Sequence, residues 1–109
     1  MNKQYRAGVR IEREIQKKFP PPRYTALRTA GSHGFCDVIV IDHKDPHVYF
    51  IQAKKTKKIT KQLRTEWKAM QKIKLPISCS KEFWIKLPRQ EFIAWGEDED
   101  YNISGHTVN

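Results

Sequence analysis

Between Cys36 and Lys54 the chain carries two apolar runs, Asp37-Val38-Ile39-Val40-Ile41 and Val48-Tyr49-Phe50-Ile51-Gln52-Ala53-Lys54, separated only by the turn-forming Asp42-His43-Lys44-Asp45-Pro46. β-Branched and aromatic residues of this density form strands, and strands joined by so short a connection run antiparallel. Side chains alternate faces along a strand. Gln52 and Lys54 therefore point one way and Ala53 the other, which brings an aspartate, an amide oxygen and an ammonium to one sheet face.

The flanking segments supply helices to cover such a sheet. Ile11, Ile15 and Phe19 recur at helical spacing with charges between them, predicting an amphipathic helix over Ala7–Phe19 that Pro20-Pro21-Pro22 terminates. Tyr24–Arg28 reads as a first strand, and Thr29–Gly34 as a turn-rich loop before the central hairpin. A second helix is expected from about Thr60 to Lys74, with Leu63, Trp67, Met70 and Ile73 on one stripe and Pro76 closing it. Glu82–Leu87 and Glu91–Trp95 read as two further strands around Pro88-Arg89-Gln90, and the residues from Gly96 on as a polar, loosely held end. At 109 residues, without repeat or linker, this is a single domain of the α/β class, with a flexible acidic tail from about residue 97.

Charge narrows the partner. All 21 Lys and Arg lie before Gln90 beside only seven acids, so this stretch carries a net +14, whereas the remainder holds five acids and no Lys or Arg. Such a body attracts phosphate backbones, although ribosomal and membrane-surface proteins share a basic pI. Cys36 and Cys79 are far apart, with neither a CxxC nor a paired His, so neither a zinc knuckle nor a disulfide framework is indicated. The first twenty residues are charged rather than apolar, and no apolar run approaches membrane-spanning length. An intracellular, cytoplasmic protein without a membrane partner is expected.

Four blocks then align in order and spacing with one family. Tyr5-Arg6-Ala7-Gly8 with Glu12-Arg13-Glu14, Arg28-Thr29-Ala30-Gly31-Ser32, Asp37-Val38-Ile39 and Ile51-Gln52-Ala53-Lys54 resemble the archaeal-type Holliday-junction resolvases of the PD-(D/E)XK nuclease superfamily, over roughly residues 5 to 95. The resemblance implies a restriction-endonuclease-like fold, a mixed central sheet flanked by helices, and a homodimeric, Mg2+-dependent endonuclease on branched DNA, with Mn2+ able to substitute. It assigns the helix glutamate to Glu12, the strand-entry aspartate to Asp37, the motif lysine to Lys54, and the loop arginine and serine to Arg28 and Ser32. Where the family has a second strand carboxylate this chain has Gln52, so the motif reads QxK. Glutamine keeps a carbonyl oxygen that can coordinate a hard cation but lacks the negative charge.

The chemistry of such a set can be stated from the residues. Phosphodiester hydrolysis needs an oxygen-ligated cation to neutralise the transition state and acidify an attacking water. Glu12 and Asp37, with the Gln52 oxygen, are the candidate ligands. Lys54 would orient the nucleophile or offset phosphate charge, and Arg28 and Ser32 are suited to grip a phosphate. Arg6 and Arg10 on the first helix, His33 in the loop, and Lys55, Lys57, Lys58, Lys61 and Arg64 beyond the active strand are the DNA-contacting candidates. Two opposed nicks in a nearly two-fold four-way junction call for a C2 dimer.

Plainer readings stand beside these. Asp37 is also a good strand-start residue, Lys54 an ordinary exposed strand end, His33 a solvated loop histidine, and the lysine run a solvated face. Glu12 flanks Ile11 and Ile15 at the edge of the buried stripe, whereas Glu14 lies about 200° away and is expected to be solvated or paired with Lys18. Leu63, Trp67 and Met70 serve either core or dimer contact, and Glu97, Asp98, Glu99 and Asp100 form either a disordered solubilising end or one that coordinates metal or mimics DNA. The alternatives to a resolvase are a non-catalytic branched-DNA-binding protein and a nuclease of the same fold with another DNA substrate.

Overall fold

The computed structural model describes residues 3–29, 34–97 and 106–108. In chain order the elements are α1 (Lys3–Lys17), β1 (Tyr24–Arg28), β2 (Val38–Asp42), β3 (His47–Lys55), α2 (Lys61–Gln71), β4 (Cys79–Lys86), β5 (Phe92–Gly96) and β6 (His106–Val108). They form one mixed sheet in the order β1-β2-β3-β4-β5-β6. β1, β2 and β3 are successively antiparallel. β3 and β4 are parallel, because α2 carries the chain back to the starting end of the sheet, and β5 and β6 are antiparallel again. The expected α/β class, a mixed sheet flanked by helices, is observed.

Strand alternation sorts the sheet into two cores. Ile11 and Ile15 of α1 pack with Val38, Val40, Ile51, Trp84, Phe92 and Ala94 on one face, and Ala53 joins them. Leu63, Trp67 and Met70 of α2 pack with Phe83, Ile85 and Trp95 on the other. The α2 stripe is therefore core within this chain, and of the two roles open to it the structure shows this one. Ile15, Val38, Val40, Ile51 and Ile85 are wholly inaccessible to solvent, and each such aliphatic side chain contributes about 1.5–3 kcal/mol of burial. No helix among the described residues is long and apolar enough to cross a membrane.

Element ends depart from the sequence expectations for local reasons. α1 begins four residues earlier than Ala7 and stops at Lys17, where Lys18 and Phe19 donate to the carbonyls of Ile15 and Gln16 in a tightened final turn. Phe19 leaves the helix and meets Tyr24 edge-on. α2 is capped at its start by Thr60, whose hydroxyl accepts from Leu63 N at 3.2 Å. It ends at Gln71, well before Pro76, and the buried ammonium of Lys81 takes the carbonyls of Gln71 and Ile73. A cation at a helix C-terminus also opposes the macrodipole. β6 departs from the sequence expectation: His106–Val108 adds a strand to β5 where the sequence reads as a loosely held end. Glu97 is likewise engaged, accepting from Lys81 N at 2.7 Å and meeting its Nζ at 3.3 Å. Asp98, Glu99 and Asp100 lie outside the described residues.

Candidate active site

The site is built at the end of the sheet where β1 finishes, β2 begins and β3 runs past both. Asp37 stands just before β2, held by its own backbone: its N–H donates to Ile51 O at 2.8 Å and its carbonyl accepts from Thr29 N at 2.9 Å. Its carboxylate then takes over a ladder position. Oδ2 accepts from Ala53 N and from Gln52 Nε2, both at 2.9 Å. The side chain of Asp37 is thus fixed by β3, with the remaining oxygen, Oδ1, unconstrained by either bond.

Glu12 reaches this end from α1. Its Oε1 accepts from Arg28 Nε at 3.0 Å, and its side chain is only 15% exposed. Burial raises the Glu12 carboxyl above the ordinary range; Arg28 opposes this and the nearby charge of Asp37 adds to it. The two carboxylates thus share one corner, with the Arg28 guanidinium bonded to Glu12. Glu14 makes no ion pair with Lys18, whose partner is Glu91 at 3.8 Å.

Gln52 and Lys54 share the face covered by α2, as alternation requires. Gln52 turns its amide nitrogen, rather than its oxygen, toward Asp37. Lys54 Nζ lies 3.2 Å from Glu66 Oε1 on α2. Together Gln52, Lys54 and Glu66 form the polar side of a cavity of about 280 Å3 whose apolar walls include Phe35, Met70 and Phe83. Glu66 is the residue that sequence reasoning missed. It is the one acid on α2 and sits beside Trp67 of the buried stripe, the same edge position that singles out Glu12 beside Ile11.

Among the described residues no three His, Cys, Asp or Glu side chains converge as a ready-made metal cage. Two carboxylates and an amide oxygen are the donor types that a hard divalent cation takes.

The DNA-contacting candidates divide. Lys55, Lys57, Lys58 and Lys61 are exposed and form no ion pair with a described residue. Arg64 is exposed too, but its guanidinium lies 5.3 Å over the Trp95 ring, so part of its side chain packs against the sheet. Arg10 is exposed on α1 and Arg6 lies in the same helix. Arg28 is turned onto Glu12. Ser32 and His33 lie outside the described residues. Cys36 and Cys79 are free thiols.

No protein-family model matches the chain, and no curated protein matches it significantly. Among solved structures it is similar to Hjc, a Holliday junction resolvase from the archaeal hyperthermophile Archaeoglobus fulgidus, with a TM-score of 0.60 over 94% of this chain and 92% of that one, at 17% sequence identity. The two share a fold.

Proposed function

We propose that this chain is a Mg2+-dependent DNA endonuclease that nicks four-way junctions as a homodimer. The observation that carries the reading is the corner itself: Asp37 locked onto β3 beside Gln52, with Glu12 coupled to it from the opposite helix layer and Lys54 two residues along the same strand. The fold similarity to a Holliday junction resolvase and the basic charge of the first 89 residues support the same reading.

Asp37 and Glu12 would hold the metal ion, with the Gln52 oxygen available after rotation about its last side-chain torsion. When bound, the ion supplies charge neutralisation at the scissile phosphate and a lowered pKa for water. Lys54 would stabilise the charge that grows on the phosphate oxygens or orient the incoming water. Glu66 holds the Lys54 ammonium in place until substrate phosphate competes for it. Arg28, released from Glu12 when a cation takes that carboxylate, would turn to the DNA backbone.

A second reading has its own observation. The Gln52–Asp37 hydrogen bond engages one aspartate oxygen without any metal, as suits a protein that binds branched DNA and does not cut it. One assay separates the two: labelled four-way junction and matched duplex, each incubated with Mg2+, Mn2+ or EDTA, with Asp37→Asn as control. Metal-dependent nicks absent from the variant are expected. Junction binding without nicks would leave the binding protein, and nicking of duplex alone would replace the junction by another DNA substrate.

A further inference from the structure

The turn between β4 and β5 is built against local preference. Gln90 N donates to Leu87 O at 3.3 Å, closing a turn in which Pro88 takes the second position and Arg89 the third. Arg89 has φ 59°, in the left-handed region. Proline at the second position and positive φ at the third describe a type II-like turn, whose third position belongs to Gly or Asn because a Cβ is strained there. Arg89 is exposed and forms no ion pair or side-chain hydrogen bond with a described residue. Its neighbouring acid, Glu91, is engaged by Lys18.

The location of the turn gives the strain a direction. β3 and β4 run parallel with Lys54 beside Ile85 and Lys55 beside Lys86, and Thr56 N donates to Lys86 O at 3.1 Å. The turn therefore emerges at the same end of the sheet as Asp37, Gln52 and Lys54, one strand further along. Lys86 ties the turn to its stem, its ammonium donating to Gln90 O and lying 5.9 Å from the Phe92 ring centroid. The turn thus carries a half-buried ammonium at its base, paired across the ladder with the exposed Lys55, and an exposed guanidinium at its tip. Strained backbone held by its surroundings is characteristic of places where a ligand is met.

We propose that the β4–β5 turn is a second phosphate grip, in which Lys86 and Arg89 hold the DNA backbone that leaves the Asp37–Lys54 corner across the end of the sheet. The inference rests on the endonuclease reading above and extends its DNA contact to residues on a different strand pair. Contacts of this kind add affinity without sequence preference and make it salt-dependent.

The test is fluorescence anisotropy on four-way junction and duplex at several salt concentrations, using wild type, Arg89→Ala, Arg89→Gly and Lys86→Ala/Arg89→Ala, with a thermal melt of each. The double variant is expected to bind both DNAs roughly tenfold more weakly and to flatten the log–log salt slope by about 1–2. Arg89→Gly is expected to weaken binding as Arg89→Ala does while raising Tm by about 2–5 °C, because the left-handed position then carries no Cβ. Loss of affinity together with a lower Tm for Arg89→Gly would overturn the proposal, as would wild-type affinity and salt slope in the double variant with nicking intact. A wild-type chain that bound no DNA would instead remove the endonuclease reading on which the grip depends.

Discussion

The Gln52 amide donates to the Asp37 carboxylate, Nε2 to Oδ2 at 2.9 Å, and β3 adds a second donor to the same oxygen from Ala53 N. A glutamate at position 52 would place an anion where a donor now stands, beside the Asp37 carboxylate. Gln52→Glu should therefore melt lower than wild type in EDTA, by about 1–2 kcal/mol for the lost bond and repulsion, and recover with Mg2+. The Mg2+ concentration for half-maximal nicking should fall in parallel. Equal melting of both proteins in EDTA and Mg2+ would show that position 52 does not face Asp37.

Lys54 and Glu66 make the second testable relationship, with side chains about one-third exposed at 32% and 39%. A pair this open contributes under about 1 kcal/mol to stability, so Glu66→Gln should barely change the melt. Nicking is expected to slow roughly tenfold as Lys54 loses its positioning partner, whereas Lys54→Ala should cost about 100-fold or more. Junction affinity should stay close to wild type in both. Matching losses of affinity and nicking would make Lys54 a structural strand end.

At the opposite end of the sheet, Arg23 forks onto Asp42, Nε to Oδ1 at 3.2 Å and Nη2 to Oδ2 at 3.0 Å, and the N–H groups of Lys44 and Asp45 also donate to Oδ1. These bonds, Arg23 first, lower the Asp42 carboxyl to about 2 from 3.8. A depressed acid stabilises the fold above its unfolded pKa and loses that contribution as pH falls through the folded one. The stability gap between wild type and Asp42→Asn should accordingly be full above about pH 4 and close toward pH 2, as read from urea unfolding across that range. A constant gap would show that Asp42 acts by packing rather than by charge.

Cys36 is buried next to Asp37, and burial first, then that negative charge, pushes its thiol up to about 11. In a Cys79→Ser background, native protein at pH 8 should react with iodoacetamide roughly 100-fold more slowly than a thiol at its ordinary value of 9.0, and react fully once denatured. Mass spectrometry of the alkylated protein measures this. Fast native alkylation would mean that the Asp37 corner opens in solution.

Much of this architecture is legible in the chain itself, because it depends on local period and local turns. β1 lies where Tyr24–Arg28 was expected. The alternation of Gln52, Ala53 and Lys54 correctly sends Ala53 into the α1 core and its neighbours to the α2 face. The stripe of Leu63, Trp67 and Met70 covers the sheet, and Glu12 is reached by its place beside Ile11. What the sequence left open are partnerships between segments far apart in the chain. That Lys54 meets Glu66, that Gln52 presents nitrogen to Asp37, and that Lys81 ends α2 depend on the register of β4 along β3 and on how α2 lies over that pair. Neither is encoded in any short window. Side-chain alternation needs only one strand, whereas a polar group chooses among donors and acceptors only after the packed cores have set the distances between them.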